Sequence, residues 1–386
     1  MRGHYEDRSQ AEFSGLPAAE ALSGKVDRYA NPAATHGQPD TTIENRVSTA
    51  ELKHALNDNT RVTVTARHYE AKIRDYGSFI FPAIAGPEAA TPTVYPIFKL
   101  YLPGNIRENT LDANIATRIE ALGGEHELLT GASYDRTRFY SAVSNAEFVG
   151  NLDLANPDYS LDYGATPDVI VSQTNRYQTS ALYVQDQATY GRLHVLGSLR
   201  FTQLQLEQQE QGIDTQYHRV TPRVGLTYDL TESVAAYVAY STGFRGAFNF
   251  TGREVPKPEL SRNYETGLKL NFRDIGLSGT LAVFEQTRRN VSTPDPDPAF
   301  ALLGYSVQSG EQRARGIETD LLWEPTPALS ILGNYAYTQA EVSRTTQFQR
   351  GMDCPVYPAI VAVSQRTIGY WKGRRGAFRL AQAFLQ

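Results

Sequence analysis

The sequence predicts an all-β fold, a transmembrane antiparallel β-barrel, on three observations. Apolar and polar residues alternate along strand-length segments, most cleanly between Val220 and Val342. The connections between those segments are short, then long, then short again. No run approaches the ~20 consecutive apolar residues of a membrane helix, whereas a barrel strand needs only about 9 to 11 residues with every second one apolar. Side chains of a strand point alternately to opposite faces, so a period of two marks a sheet between two different environments.

The elements follow in order. Met1 to Glu12 reads as the end of a strand, and Phe13 to Asp40 as a loop rich in Gly, Pro and Ala. A hairpin is expected from Ile43 to Leu56 and Arg61 to Tyr69, turned at Asn57-Asp58-Asn59. Ala71 to about Arg107 holds Pro82, Pro87, Pro92, Pro96 and Pro103, too much proline for a central strand. Leu111, Ala113, Ile115, Thr117 and Ile119 then alternate with polar neighbours, turn at Leu122-Gly123-Gly124 and return through Leu128, Thr130, Ala132 and Tyr134. Phe139 to Thr174 reads as irregular. Tyr177 to Ala188 pairs with Leu193 to Phe201, and a polar loop is expected from Gln203 to His218.

Beyond that loop, Val224, Leu226, Tyr228 and Leu230 form one face against Arg223, Gly225, Thr227 and Asp229. Val234, Ala236, Val238 and Tyr240 continue the apolar face. Tight turns fall at Asp229 to Ser233, Phe272 to Gly276 and Glu324 to Ala328, and long connections at Phe244 to Arg262 and Arg289 to Arg313. One end of the sheet therefore carries the tight turns and the other the long loops. Bacterial outer-membrane barrels sort their loops in this way and ring their apolar band with aromatics. Tyr228, Tyr240, Tyr264, Phe272, Trp323, Tyr335 and Tyr337 suit such a girdle. A soluble sandwich or propeller also alternates, but has no reason to sort its loops by length.

Composition narrows the function. A formal charge of -5 and a pI near 5.9 give no electrostatic argument for nucleic acid. The single cysteine, Cys354, cannot close an internal disulfide or build a cysteine-rich zinc site, and the seven histidines lack metalloprotease spacing. No nucleophile elbow or paired-carboxylate spacing marks an enzyme. Met1 to Asp7 lacks the apolar core of a secretory signal.

Several short segments, in this order and spacing, carry a resemblance. They are Thr221-Pro222-Arg223-Val224-Gly225-Leu226, Ala239-Tyr240-Ser241-Thr242-Gly243-Phe244-Arg245, and Pro258-Glu259-Leu260-Ser261 leading to Tyr264-Glu265-Thr266-Gly267-Leu268-Lys269. Phe284 to Val291, Gly310 to Glu318 and Gly333 to Thr338 complete the set. Together they resemble the TonB-dependent siderophore receptors of the Gram-negative outer membrane, firmly from about Tyr177 to Val342 and in layout back to Met1.

The resemblance implies a ferric-siderophore uptake receptor working with the TonB-ExbB-ExbD system, surrounded by outer-membrane lipid, with the ferric chelate as ligand and no covalently bound cofactor. It implies a lumen filled by a plug, toward which Glu265, Gly267, Lys269, Gly316 and Glu318 point, with Asp320 beside them; solvated lumen charges are the alternative. Gly267 and Gly316 would let the wall approach the plug closely. It also implies an outer vestibule lined by aromatics and Arg, for which Arg245, Phe248, Phe250 and Tyr140 are candidates. Glu259 stands with Arg245 at the base of a long outer loop.

The chain departs from the family in two ways. It offers roughly 13 of the about 22 strands of such plugged barrels, with neither plug nor TonB box, so residues 1–347 are expected to form a partial barrel unable to transport by itself. Residues 348–386 read as an off-pattern basic tail. Tyr357 to Ser364 admits codons whose shifted frame restores Pro-Arg-His-Ser-Gly-Arg-Leu, as in the family, so a frameshift is expected there. A passive outer-membrane pore, a non-functional relic and, least of all, an outer-membrane hydrolase are the alternative functions.

Overall fold

The structure, a computed structural model, describes residues 1–12, 15–24, 26, 35–80, 93–158, 160–246, 255–297, 299–300, 305–344 and 363–367. The strands are β1 (Arg2–Gln10), β2 (Thr41–Ala55), β3 (Thr60–Ile80), β4 (Val94–Ala121), β5 (Gly124–Ser144), β6 (Glu147–Asp153), β7 (Val169–Tyr190) and β8 (Leu193–Gln208). They continue as β9 (Ile213–Asp229), β10 (Val234–Arg245), β11 (Glu259–Phe272), β12 (Leu277–Pro294), β13 (Ser306–Thr326), β14 (Leu329–Arg344) and β15 (Val363–Thr367). One short helix, α1 (Ala18–Ser23), lies between β1 and β2.

All fifteen strands belong to one antiparallel sheet in which neighbours in sequence are neighbours in space, except that β6 leaves the path and pairs with β4. Among the described residues the sheet is not closed. The expected count of thirteen omitted β6 and β15. β15 lies within the supposed off-pattern tail, yet pairs with β14 from Ser330 opposite Thr367 to Asn334 opposite Val363. The rest of that tail lies outside the described residues.

Register turns the alternation of the sequence into two faces. Ala236 stands opposite Tyr228, Val238 opposite Leu226 and Tyr240 opposite both Val224 and Tyr264. Leu281 and Val283 join them through Leu268 and Thr266, and Ile317, Thr319, Tyr335 and Tyr337 follow. In the other direction the same face runs through Leu199, Phe201, Leu182, Val184, Ala132, Leu111 and Ile115. Leu182, Leu199, Val224, Val238, Val283 and Ile317 are all exposed. An apolar surface continuous over so many strands far exceeds what a soluble monomer leaves bare. Tyr228, Tyr264, Trp323, Tyr335 and Tyr337 are exposed on it too, and Tyr240 lies against Tyr264 with ring centroids 5.0 Å apart.

Prolines proved weaker barriers than expected. β3 and β4 run far into the supposed proline-rich loop, with Pro103 opposite Arg74 and Pro96 opposite Asn151. Each proline sits where one neighbour has stopped pairing: β4 pairs with β5 only from Gly104 onward, and β3 ends opposite Ile97. The missing N–H therefore interrupts no rung, as at an edge. The irregular segment after Phe139 likewise contains the end of β5, all of β6 and the start of β7. Gln203 to His218 is the tip of the β8–β9 hairpin, turned at residues 209–212 with Gly212 at φ 64°.

The long-loop end has a true core. Tyr95, Ile97, Leu152, Leu154 and Val26 are buried together, with Leu16, Ile80, Val149 and Leu161 against them. Lys99, also buried, donates to the carbonyls of Tyr163 and Ala165, each at 2.7 Å, and pairs with Glu147 at 3.1 Å. Three oxygens offset the cost of burying that ammonium. Burial pushes the Tyr163 hydroxyl up to about 12.

Candidate functional site

The face opposite the apolar band is polar. Its alternate positions on β10 to β14 bring Glu265, Gly267 and Lys269 beside Ala239, Tyr237 and Ala235. Further along, Ala282 stands opposite Glu318, Phe284 opposite Gly316 and Thr280 opposite Asp320. The structure thus gathers Glu265, Gly267, Lys269, Gly316, Glu318 and Asp320 on one face. Tyr237 donates its hydroxyl to Glu265 at 2.6 Å, and the Lys269 ammonium lies 5.3 Å from the centre of the Tyr237 ring. Asp320 accepts from the Asn334 amide.

The glycines have a local reason for being glycine. A Cβ at Gly267 would run into the Leu281 carbonyl oxygen and stand 2.9 Å from Cε1 of Tyr237, its partner across the rung, and one at Gly316 would run into the Tyr337 carbonyl oxygen and stand 3.0 Å from Cε1 of Phe284. Each position is covered by an aromatic ring from the neighbouring strand. Gly131 repeats the motif under Tyr183, where a Cβ would lie 2.5 Å from Cζ. Tyr183 donates to both carboxylate oxygens of Asp112 at 2.9 Å, and Arg200, 5.4 Å from its ring centre, donates to Ser133 at 2.8 Å. Tyrosine on glycine, tyrosine to carboxylate and cation over ring therefore occur twice on the polar face. Tyr183 and Tyr237 were not singled out in the sequence; an aromatic directly across the rung from a glycine was the available signal.

At the long-loop end of this face, Glu259 accepts from Arg245 at 2.7 Å and from Arg288 at 2.8 Å. The carboxylate is largely buried, whereas Arg245 is exposed. Two guanidinium groups against one carboxylate leave one positive charge in excess. Arg288 was missed because its partner lies across a strand pair, a contact alternation does not encode.

Two of the four vestibule candidates lie among the described residues, and they stand on opposite faces. Arg245 is in the ion cluster. Register puts Tyr140 on the face of Tyr134 and Leu111, opposite to that of Glu265. Phe248 and Phe250 lie outside the described residues. Among the described residues no group of three or more His, Cys, Asp or Glu is placed to hold a metal ion, and no helix is long and apolar enough to cross a membrane.

Comparison with known proteins adds the following. Residues 2–378 match the model of the family described as TonB dependent receptor-like, beta-barrel. The ferric-pyoverdine M114 receptor of Pseudomonas sp. strain M114 is 26% identical over 358 residues, covering 83% of this chain and 42% of that protein. The ferrichrome outer membrane transporter/phage receptor of Escherichia coli K12 is 27% identical over 252 residues, covering 62% of this chain and 33% of its own length. The chain thus spans less than half the length of either. Among solved structures, FpvA of P. aeruginosa bound to a heterologous ferric pyoverdine superposes with a TM-score of 0.70 at 18% identity, over 90% of this chain and 48% of that one. The ferric-catecholate import receptor Fiu of E. coli gives 0.68 at 19% identity, over 86% and 52%.

Proposed function

Because the chain belongs to the TonB-dependent receptor β-barrel family, a family of receptors and not of enzymes, we propose that it forms barrel wall of a ferric-siderophore uptake receptor in the bacterial outer membrane. The observation that carries this reading is the two-faced wall: a continuous bare apolar face with exposed tyrosines on one side and a polar, charged face on the other. Lipid is the medium that such a bare face matches, and a water-filled or plugged lumen matches the polar one.

Within this reading the polar face has two levels. Glu265, Gly267, Lys269, Gly316 and Glu318 lie toward a lumen domain of the whole receptor, whose movement is coupled to TonB. Arg245, Glu259 and Arg288 stand at the mouth. Glu259 orders the two guanidinium groups, and the excess positive charge attracts a chelate with anionic oxygens, which Arg meets with a planar fork of donors. The iron stays within its chelator, so the protein contributes charge and shape alone. Relatives are named for ferric pyoverdine, ferrichrome and metal-pseudopaline, so the class proposed is a metal chelate.

Titration of the full chain in detergent micelles with ferric pyoverdine, ferrichrome and ferrioxamine B, followed by protein fluorescence, tests the reading. At least one is expected to bind, and Arg245→Ala with Arg288→Ala is expected to weaken it about tenfold or more, the scale of a lost charge-assisted contact. Failure of all three to bind, with the wall still folded, overturns the ligand assignment.

A further inference from the structure

The connection from β10 to β11 ends in Val255-Pro256-Lys257-Pro258, an extended strap with no partner in the ladder. Pro256 and Pro258 bring no N–H, so three carbonyls and the Lys257 N–H are the polar backbone groups from Pro256 to Pro258. All four are bonded, and every partner is a side chain. Tyr217 of β9 donates its hydroxyl to the Pro256 carbonyl at 3.0 Å. The Lys257 N–H donates to Oε1 of Gln308 at 2.8 Å, and Nε2 of Gln308 donates back to the Lys257 carbonyl at 2.6 Å. Asn290 of β12 donates its amide to the Pro258 carbonyl at 2.8 Å.

Gln308 is the centre of this arrangement. Its planar amide meets both backbone groups of one residue, so a side chain makes the pair of bonds that a neighbouring strand makes in a ladder. The same Nε2 also donates to the carbonyl of Asn290 at 2.9 Å, and Asn290 itself is left-handed at φ 56°, a conformation Asn tolerates better than most residues. Continuing the register from Arg223 and Glu318 puts Tyr217 and Gln308 on the polar face, and the Asn290 amide reaches the same strap. The strap is therefore drawn onto the polar face, with Pro256 buried and Lys257 exposed. Glu259, which holds Arg245 and Arg288, is the residue after Pro258.

We propose that Gln308 is a positioning residue of the mouth: its amide clamps the strap to the polar face and thereby fixes where the Arg245–Glu259–Arg288 cluster stands. The effect on ligand affinity rests on the receptor reading above; the clamp itself does not. Gln308→Glu replaces the donor aimed at two carbonyls with a carboxylate oxygen, and Gln308→Leu keeps bulk while removing both bonds.

Hydrogen exchange of the full chain, without ligand, reads the clamp at the Lys257 amide. Gln308→Leu is expected to speed it about tenfold or more, with the β11–β12 amides still protected, whereas Gln308→Glu keeps an oxygen that accepts from the Lys257 N–H and is expected to speed it less. Tyr217→Phe, which removes one neighbouring bond, is expected to speed it less and serves if the Gln308 variants disturb the wall. Unchanged Lys257 exchange in a folded Gln308→Leu chain overturns the clamp. Ferric pyoverdine and ferrichrome are then titrated, and the probe bound by the unaltered chain is expected to bind Gln308→Leu severalfold more weakly. Faster exchange with unchanged affinity overturns the positioning role. If neither probe binds the unaltered chain, the receptor reading fails while the exchange result still judges the clamp.

Discussion

Two stretches of one strand, on one face, make the sharpest contrast in the molecule. In β4, Leu111 and Ile115 are 48% and 44% exposed, whereas Tyr95 and Ile97, in the same alternation, are 2% and 1% exposed. At ~3.4 Å per residue, a strand from Val94 to Ala121 is far longer than the ~30 Å hydrocarbon core can hold, even when tilted. The lower stretch is left bare by the chain, for lipid to cover in the proposed receptor. The upper one, which in the proposed receptor rises clear of the membrane, is covered by Val26, Leu152 and Leu154 of the chain itself. An apolar strand face thus names no environment; what covers it does.

Isoleucine occurs in both stretches and allows a direct test. Ile97→Ala should cost the outer body about 2 to 5 kcal/mol, read as lost exchange protection around Leu152, and equally in micelles and bilayers because the cover is protein. Ile115→Arg should cost about 2 to 4 kcal/mol in folding into a bilayer, with little loss of exchange protection around Leu152. An Ile115→Arg chain that folds into bilayers as readily as the unaltered one would break the contrast. The smallest effect sharpens it from the other side of the wall: Gly267→Ala, which crowds Tyr237 and the Leu281 carbonyl, should cost about 1 to 3 kcal/mol in any medium. Thermal unfolding in micelles and vesicles, compared side by side, measures that independence.

The same contrast explains what the sequence disclosed. From Val220 to Val342 the alternation marks real strands, because both faces there have uniform surroundings and residue type tracks side. The apolar band, the polar face and the sorting of loops were legible for that reason. Upper β4 was not, because Pro96 and Pro103 signal loop unless one knows that a neighbour has already stopped pairing there. Tyr140 looked like a vestibule aromatic on residue type alone, and its face depended on a register that begins at Ala121 opposite Gly124. Gly267 and Gly316 were found on the polar face with an incomplete reason: the carbonyls of Leu281 and Tyr337 and the rings of Tyr237 and Phe284 occupy the space a side chain would need. Arg288 and Gln308 required contacts across strand pairs.

The strap before β11 has a consequence for how such a molecule changes over generations. Ladder bonds join backbone to backbone and are indifferent to most substitutions, so the wall tolerates drift in its side chains. Among the described residues the backbone groups of the strap are bonded by the side chains of Tyr217, Asn290 and Gln308, and each is a single codon. Point mutation can therefore detach or re-aim the mouth without shifting one rung of the barrel, and selection on what the mouth recognises proceeds apart from selection on the wall that carries it.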